Sequence, residues 1–431
     1  MKPYYHAVRF VLIIVLSAGN ILTVTGQQGM VAENPTDLVR SGDKVIKLND
    51  AISMVQGFGN TFLIATSEGN VIIDTSIALH ARKHHQLLTA ENNGPIKYII
   101  LTHGHGDHTG GVPLWKQAGT KIIAQKTHVE LMNYQTRLAA FYSKRNAAQF
   151  ALNVPQVGNW AGNYGAKIEP TILFDDKYEF TLGGTSFEIY RAPSETYDHL
   201  MVWVPKYKAV FTGDVYYESF PNIYTLRGTQ PRWALDYVTS LNAILALKPE
   251  MVVPSHGFPI RTNEEIVRRL TRYRDAIQYV HDETVKGMNA GKDVYTLMRE
   301  IKLPASLEVG ESYGNLIWSI RGIYEGYVGW FDLNPATMYD KPASSVYPDL
   351  VKLAGGPDAV AAVAGERVQT GDAVAALHLT DIALTAQPDH RKALETRLKA
   401  LEILRSRCKN TNERGWLDYS IKITKTKLGD R

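Results

Sequence analysis

The sequence predicts an α+β protein whose first part combines short strands with helices and whose second part is entirely helical. Residues 44–74 hold short apolar runs broken by glycines, which is typical of antiparallel strands. From about residue 264 onwards the apolar residues recur at helical spacing, most clearly over residues 394–404. A chain of 431 residues with 45% hydrophobic residues is long enough for two domains, each with its own core.

The elements between these two regions alternate. We expect helices at residues 76–92, 127–150 and 233–247, and strands at 98–101, 122–125, 179–191, 200–204 and 209–213. A loop rich in Gly, Asn and Pro runs to about residue 166, and its Trp160 and Tyr164 are candidates for a roof over the site described next. In the helical part we expect an αα-hairpin, with Asp389 opening its second helix.

The segment Thr-His-Gly-His-Gly-Asp-His, which follows the strand predicted at 98–101, is the most informative part of the chain. It places His103, His105, Asp107 and His108 within six positions. Imidazoles and a carboxylate at this density are typical ligands of divalent cations such as zinc. Four such groups are unfavourable to bury without a metal, so a metal centre is the favoured interpretation.

Three further candidate ligands lie at the ends of apolar runs. His199 precedes one such run, Asp214 follows the next, and His256 follows a third in Pro-Ser-His-Gly. A site for two metals needs roughly six or seven protein ligands, so ligands from outside the first motif are required. Each of the three could be structural if it stood alone, but together they predict a binuclear centre.

The order His-x-His-x-Asp-His, His, Asp and Ser-His-Gly resembles the metallo-β-lactamase superfamily over about residues 44–262. The resemblance implies an αββα sandwich with two zinc ions per subunit in a groove at its edge. It assigns one zinc to His103, His105 and His199, the other to Asp107, His108 and His256, and the bridging position to Asp214.

Two later segments resemble the alkyl and aryl sulfatases of this superfamily. The first is Asn-Ile-Tyr-Thr-Leu-Arg-Gly, beginning at Asn222, and the second covers residues 313–335. The resemblance implies a catalytic domain over residues 27–265, an all-α dimerisation domain over 266–431, and a homodimer. By position in the first segment, Asn222 and Arg227 would hold the sulfate group.

The chain differs from those sulfatases in three respects. His199 and Asp214 stand where the resemblance leads us to expect glutamates. Phe150 stands where a sulfate-binding tyrosine is expected. The sterol-carrier-like domain that usually ends those enzymes is not expected after the helical part.

The predicted function is that of a zinc-dependent hydrolase that cleaves an amphiphilic sulfate ester into alcohol and sulfate. Two metals lower the pKa of a shared water and polarise the group attacked, and Asp107, Asn222 and Arg227 are the predicted catalytic residues. The alternatives are a hydrolase of the same fold acting on a lactone, β-lactam or phosphoester, a binding protein without catalysis, and a redox or thioester enzyme. For Arg227, the alternative is an ion pair that holds its loop.

Composition excludes several other classes. The net charge of +4 is spread along the chain, so no nucleic-acid partner is expected. The single cysteine, Cys408, excludes an intramolecular disulfide and a cysteine metal cluster. We expect it to be a buried or half-buried residue without a chemical role.

The N-terminal segment resembles an export signal. Lys2, His6 and Arg9 precede an apolar stretch that begins at Phe10, and small residues follow up to Gly26. This pattern predicts a signal peptide over residues 1–26 and a periplasmic or secreted protein, without stable membrane insertion after the signal is removed. The alternative is an uncleaved membrane anchor.

Overall fold

The structure, a computed structural model, describes residues 41–150 and 168–429. The predicted signal peptide and the loop with Trp160 and Tyr164 lie outside the described residues. The strands are β1 (Ile46–Lys47), β2 (Ile52–Val55), β3 (Thr61–Thr66), β4 (Gly69–Ile73), β5 (Ile96–Ile100), β6 (Lys121–Gln125), β7 (Ile172–Phe174), β8 (Lys177–Leu182), β9 (Thr185–Arg191), β10 (Leu200–Val204), β11 (Ala209–Gly213), β12 (Met251–Pro254) and β13 (Ile260–Arg261). The α-helices are α1 (Ala78–Glu91), α2 (Gly106–Thr109), α3 (Val112–Trp115), α4 (His128–Arg137), α5 (Ala139–Gln149), α6 (Ala234–Ala246), α7 (Asn263–Asn289), α8 (Val294–Glu300), α9 (Leu316–Val328), α10 (Tyr347–Leu353), α11 (Pro357–Gln369), α12 (Ala373–Ala386), α13 (Arg391–Arg407) and α14 (Thr411–Leu428).

Two sheets form the centre of the first part. One has the strand order β1-β2-β3-β4-β5-β6-β7 and the other β13-β12-β11-β10-β9-β8. They share an apolar core that includes Val71 and Ile73 of β4 and Phe211 of β11. Ile72 lies between the two β4 residues and therefore points to the opposite face, where it packs with Leu88 of α1.

The outer face of the second sheet is covered in the same way. Val210 of β11 and Val252 of β12 pack against Tyr237 of α6 and Leu270 of α7. The layers are thus helix, sheet, sheet and helix, and the predicted αββα sandwich is confirmed.

Parallel strand pairs bring the site residues to one edge of the sandwich. Strands β4 and β5 run parallel in the first sheet, and β11 and β12 run parallel in the second. Asp74 directly follows β4, and Ser255 directly follows β12. The Ser255 hydroxyl donates to Asp74 Oδ2 at 2.7 Å, so the carboxyl ends of the two sheets meet there. Ligand sites of α/β sheets lie characteristically at such ends.

The region predicted as one helix over residues 127–150 is two helices, α4 and α5. Leu138 between them adopts φ −105° and ψ 14°, which interrupts the regular helical hydrogen bonding. The break brings the Tyr134 hydroxyl of α4 into hydrogen-bond contact with the Tyr142 hydroxyl of α5. Two tyrosines are thereby placed beside the candidate site.

The last five helices of the helical part, α10 to α14, pack mainly on their neighbours in sequence. The predicted αα-hairpin is formed by α12 and α13, but Asp389 does not cap the second helix. His390 does so, because its Nδ1 accepts from the backbone N–H of Ala393 at 3.2 Å. Cys408 follows α13 and is buried, as expected.

Helix α7 joins the two parts of the chain. The boundary predicted between residues 265 and 266 falls in its first turn, and α7 packs on α6 of the sandwich and on α9. The side chains of Ile266 and Leu270 lie in the same apolar cluster as Leu316 and Ile320 of α9. Within the described residues, no helix has both the length and the apolar character needed to cross a membrane.

Candidate metal centre and adjoining pocket

The histidine motif leaves β5 and enters the short helix α2. His103 and His105 precede α2, whereas Asp107 and His108 lie in its only turn. The loop between β2 and β3 packs directly on this turn, because a Cβ atom on Gly59 would lie 2.0 Å from the Asp107 carbonyl oxygen. Only glycine fits there, so this loop can pack directly against the histidine motif.

Asp107, His108 and His256 form one group of potential ligands. Their ligand atoms lie within 4.8 Å of one another. His108 Nε2 lies 3.4 Å from Asp107 Oδ2, and His256 Nε2 lies 3.5 Å from the same oxygen. The structure thus brings together the three residues predicted to bind the second zinc.

Asp214 lies between this group and a second one. Its Oδ2 is 3.2 Å from His256 Nε2, and its Oδ1 is 3.5 Å from His108 Nε2. It also lies with His103 and His108 in a further potential ligand group, and with His105 and Glu195 in another. This central position is compatible with the bridging role predicted for Asp214.

The second group comprises His105, Glu195 and Asp214. The sequence analysis did not identify Glu195. His105 Nδ1 lies 2.8 Å from His103 Nε2 and 3.7 Å from Glu195 Oε2. Glu195 is buried and precedes β10 by a few residues, as His199 does. A glutamate directly after Pro-Ser, at the end of β9, was the signal that could have pointed to it.

His199 is not brought together with the predicted ligands of the first zinc in any ligand group of the described residues. Its Nε2 accepts from the backbone N–H of Asp214 at 2.9 Å, and its ring stacks on that of His103 with centroids 4.7 Å apart. Its Nε2 is thus engaged with the backbone, whereas its Nδ1 is buried without a hydrogen-bond partner in the described residues. Glu195, and not His199, shares a potential ligand group with His105 and Asp214.

Asp74 contacts the candidate ligand His108 and was not identified by the sequence analysis. Its carboxylate accepts from the Thr102 backbone N–H at 2.9 Å and lies 2.8 Å from His108 Nδ1. With Nδ1 engaged, His108 can direct only Nε2 at a metal, which fixes the tautomer needed for binding. The signal was an aspartate directly after the apolar run of β4.

The electrostatics of the cluster favour a cation. Burial opposes the charge of Asp107, yet the neighbouring His108 and His256 lower the pKa of its carboxyl to about 2. Burial together with His108 and His105 holds the pKa of His103 well below its usual value. His108 Nε2 and Asp214 Oδ1 are buried without a hydrogen-bond partner in the described part of the chain. Burial lowers the pKa of His108, but the neighbouring carboxylates, Asp214 first, hold this pKa well above its usual value, so positive charge is favoured there. Imidazole nitrogens, ionised carboxylates and unpaired ligand atoms are a donor set that fits zinc.

A cavity of about 320 Å³ adjoins the second group. It is lined by His105, Leu131, Tyr134, Gln135, Tyr142, Ser194, Glu195, Thr196, Tyr197, Arg227, Gly228, Thr229, Gln230, Pro231, Arg232, Trp233 and Asp236. One wall thus belongs to the metal-ligand group, another is apolar and aromatic, and two arginines supply positive charge. Burial, Arg227 and Arg232 hold the pKa of His105 well below its usual value.

The Arg227 side chain forms no hydrogen bond or ion pair with any residue that the structure describes. Its backbone is held by other residues instead. The Arg227 backbone N–H donates to Gln149 Oε1 at 2.8 Å, and Arg145 donates to the carbonyl oxygens of residues 226 and 227. The described residues thus fix the loop without using the guanidinium, which disfavours the alternative of an ion pair that holds the loop.

Asn222 and Phe150 do not line this cavity. Asn222 is buried, and its Oδ1 has no hydrogen-bond partner in the described part of the chain. Phe150 is buried and packs edge-to-face on Phe58, with ring centroids 6.0 Å apart. The tyrosines that do line the cavity are Tyr134, Tyr142 and Tyr197. Burial and the Tyr142 hydroxyl raise the pKa of Tyr134, which is therefore protonated at neutral pH.

Comparison with known proteins agrees with both parts of the chain. The sequence model of the metallo-beta-lactamase superfamily matches residues 54–256, and that of the alkyl sulfatase dimerisation domain matches residues 294–423. A linear primary-alkylsulfatase of Pseudomonas sp. is 30% identical over 390 residues, which cover 85% of this chain and 74% of the relative. The chain belongs to the alkylsulfatase family of the metallo-β-lactamase superfamily.

Other members of the alkylsulfatase family are more distant. An alkyl/aryl-sulfatase of Saccharomyces cerevisiae is 27% identical over 391 residues, and this chain spans 60% of its length. The solved structure of a stereoselective inverting sec-alkylsulfatase from Pseudomonas sp. superposes with a TM-score of 0.80 at 22% identity. That match covers 90% of this chain and 66% of the other, and it confirms the fold.

Membership of the alkylsulfatase family bears on the role of Glu195 as a candidate metal ligand. The resemblance led us to expect glutamates where the sequence has His199 and Asp214. Glu195 lies four residues before His199 and supplies a glutamate to the second ligand group. Glu195 is therefore a candidate for the glutamate expected at the position of His199, whereas the aspartate at position 214 remains a difference from the expected pattern.

Proposed function

We propose that this protein is a binuclear zinc hydrolase that cleaves alkyl sulfate esters into alcohol and sulfate. The observation that carries the proposal is the guanidinium of Arg227, which pairs with none of the described residues and lies in a cavity that His105 and Glu195 of the metal-ligand groups also line. A permanently charged, planar fork is suited to an oxyanion such as a sulfate ester. Two relatives that are named as alkylsulfatases support the same substrate class.

In this proposal the metals are held by two groups joined by Asp214. Asp107, His108 and His256 would hold one zinc, and His103, His105 and Glu195 would hold the other. Bound there, the ions would lower the pKa of a nearby water and act as Lewis acids. Arg227 binds and orients the sulfate group. The apolar wall with Leu131 and Trp233 receives the alkyl chain and excludes water from it.

A hydrolysis panel tests the substrate class. Zinc-loaded protein is assayed with medium-chain alkyl sulfates, aryl sulfates, lactones, β-lactams and phosphoesters under identical conditions. We expect alkyl sulfates to give the highest kcat/KM, because they alone offer both the sulfate for Arg227 and a chain for the apolar wall. Hydrolysis of a lactone, β-lactam or phosphoester without any sulfate-ester hydrolysis would replace this proposal by the alternative of another hydrolase on the same fold.

We also propose a homodimer formed through the helical part. Large apolar side chains are exposed between α9 and α11, with Trp330 74%, Leu333 84%, Tyr339 72% and Leu353 84% exposed. Such an exposed patch marks an interaction surface, and the match to a dimerisation domain points to a second copy of this chain.

Light scattering of the purified chain is expected to give about twice its mass of 48.1 kDa. The double variant Trp330→Glu with Leu333→Asp should dissociate at micromolar concentration, because it buries charge in the interface. Leu79→Asp is the matched control, since Leu79 is an exposed leucine of α1 in the sandwich. A monomeric parent protein, or dissociation of the control as well, would refute this interface.

Export remains a proposal, supported by the signal-like pattern of residues 1–26. N-terminal sequencing of protein from the periplasmic fraction is expected to begin at Gln27. An intact N-terminus on membrane-bound protein would favour the uncleaved anchor instead.

A further inference from the structure

A closed ring of three hydrogen bonds and one ion pair connects Glu195 to the backbone of Asn222. On one side, the Tyr217 hydroxyl donates to Glu195 Oε1 at 2.9 Å and accepts from the Asn222 N–H at 2.6 Å. On the other side, Arg232 Nη1 lies 2.8 Å from Glu195 Oε2 and donates to the Asn222 carbonyl oxygen at 2.7 Å. Both oxygens of the carboxylate are thus tied to both backbone groups of Asn222 through one intermediary each.

All four members of the ring are buried, with exposed fractions of 5% for Glu195, 6% for Tyr217, 2% for Asn222 and 6% for Arg232. Hydrogen bonds are stronger in such an environment, and a charge or N–H that loses its partner there is costly. Neither Glu195 nor Asn222 can therefore shift alone.

The ring lies between two functional elements. Glu195 belongs to a metal-ligand group, and Asn222 begins the loop that carries Arg227 into the cavity. Residues that fix the orientation of a metal ligand without touching the metal affect metal binding strongly, by about ten- to a hundredfold. Here the same residues also fix the first residue of the anion-binding loop.

We propose that Tyr217 and Arg232 are positioning residues that hold the Glu195 carboxylate and the loop of residues 222–227 in a single arrangement. The inference rests on the proposed metal-binding role of Glu195 and the proposed anion-binding role of Arg227. It deepens them, because it makes zinc affinity and sulfate affinity depend on the same two side chains. Since coupling between binding sites is reciprocal, zinc loading tightens sulfate binding through the ring, and sulfate tightens zinc binding.

The test uses Tyr217→Phe, which removes one hydroxyl and keeps the ring system. Tyr273→Phe is the matched control, because Tyr273 is equally buried and its hydroxyl has no hydrogen-bond partner in the described part of the chain. Zinc affinity is measured by chelator competition, and binding of inorganic sulfate by calorimetry on zinc-saturated protein. We expect Tyr217→Phe to weaken one of two zinc equivalents about tenfold and to weaken sulfate as well. The control should change neither.

Arg232→Lys is the second variant, since it keeps the positive charge beside Glu195 and is expected to fold. It should weaken the same zinc equivalent and sulfate binding, because an ammonium does not reproduce the planar guanidinium geometry. The proposal is overturned if the folded variants bind zinc and sulfate as the parent does, or if they lose only thermal stability. A parent that binds two zinc ions but hydrolyses no sulfate ester would refute the proposed function, while the zinc measurement would still decide the role of the ring.

Discussion

Asp214→Ala is expected to abolish hydrolysis and to lower the zinc content of the purified protein well below two equivalents per chain. The physical reason is its central place, since its carboxylate lies within ligand distance of His108 and His256 and in a group with His105 and Glu195. Loss of a partner that only orients a metal ligand already costs about ten- to a hundredfold, so loss of a shared ligand should cost more. Elemental analysis and turnover measured on the same preparation check both effects.

The same measurement separates Glu195 from His199. Glu195→Gln should lose about one zinc equivalent, whereas His199→Gln should retain both, because its ring supports the backbone of Asp214. Circular dichroism identifies the folded fraction to which the zinc content is referred. Full zinc content in Glu195→Gln together with zinc loss in His199→Gln would restore the assignment made from sequence alone.

Arg227→Lys and Arg227→Ala are expected to lower kcat/KM for an alkyl sulfate by about ten- to a hundredfold, while zinc content stays normal. A hydrogen bond to a charged group contributes about 1.5 to 3 kcal/mol, and lysine cannot reproduce the two parallel contacts of a guanidinium. Among the described residues, Gln149 and Arg145 hold the loop, and none pairs with the guanidinium.

Steady-state kinetics with a series of alkyl sulfates measures this effect. Arg268→Lys is the control, because Arg268 is an exposed arginine of α7 paired with Glu265. If both Arg227 variants hydrolyse alkyl sulfates as fast as the parent, Arg227 does not bind the sulfate group.

The parts of the site that are local in sequence could be predicted from it. Four predicted ligands lie within six consecutive residues, so their spacing already indicates a shared metal. They are His103, His105, Asp107 and His108. The helical second part was also accessible, because helical periodicity is a property of short segments. The αββα sandwich was implied by the resemblance to the metallo-β-lactamase superfamily. The break at Leu138 was not, since nothing in its local sequence ends a helix.

The remaining parts depend on contacts between distant residues. Glu195 and His199 both precede β10, and only the path of the intervening turn decides which side chain faces His105. Asp74 acquires its role from Thr102 and His108, which lie 28 and 34 residues away. No single-sequence pattern reports such a contact, so these residues required the three-dimensional arrangement.

Arg145 donates hydrogen bonds to carbonyl oxygens of the Arg227 loop. Its Cζ atom also lies 5.6 Å from the ring centroid of Trp416 on the last helix. One turn further along α5, the backbone of Gln149 approaches α14 so closely that a Cβ on Gly415 would lie 1.6 Å from its carbonyl oxygen. The C-terminal helix therefore supports the loop of the proposed anion site and also belongs to the helical part. A fragment that ended before the helical part would keep the proposed zinc ligands but lose the contacts behind this loop, so the sandwich depends on the helices that follow it.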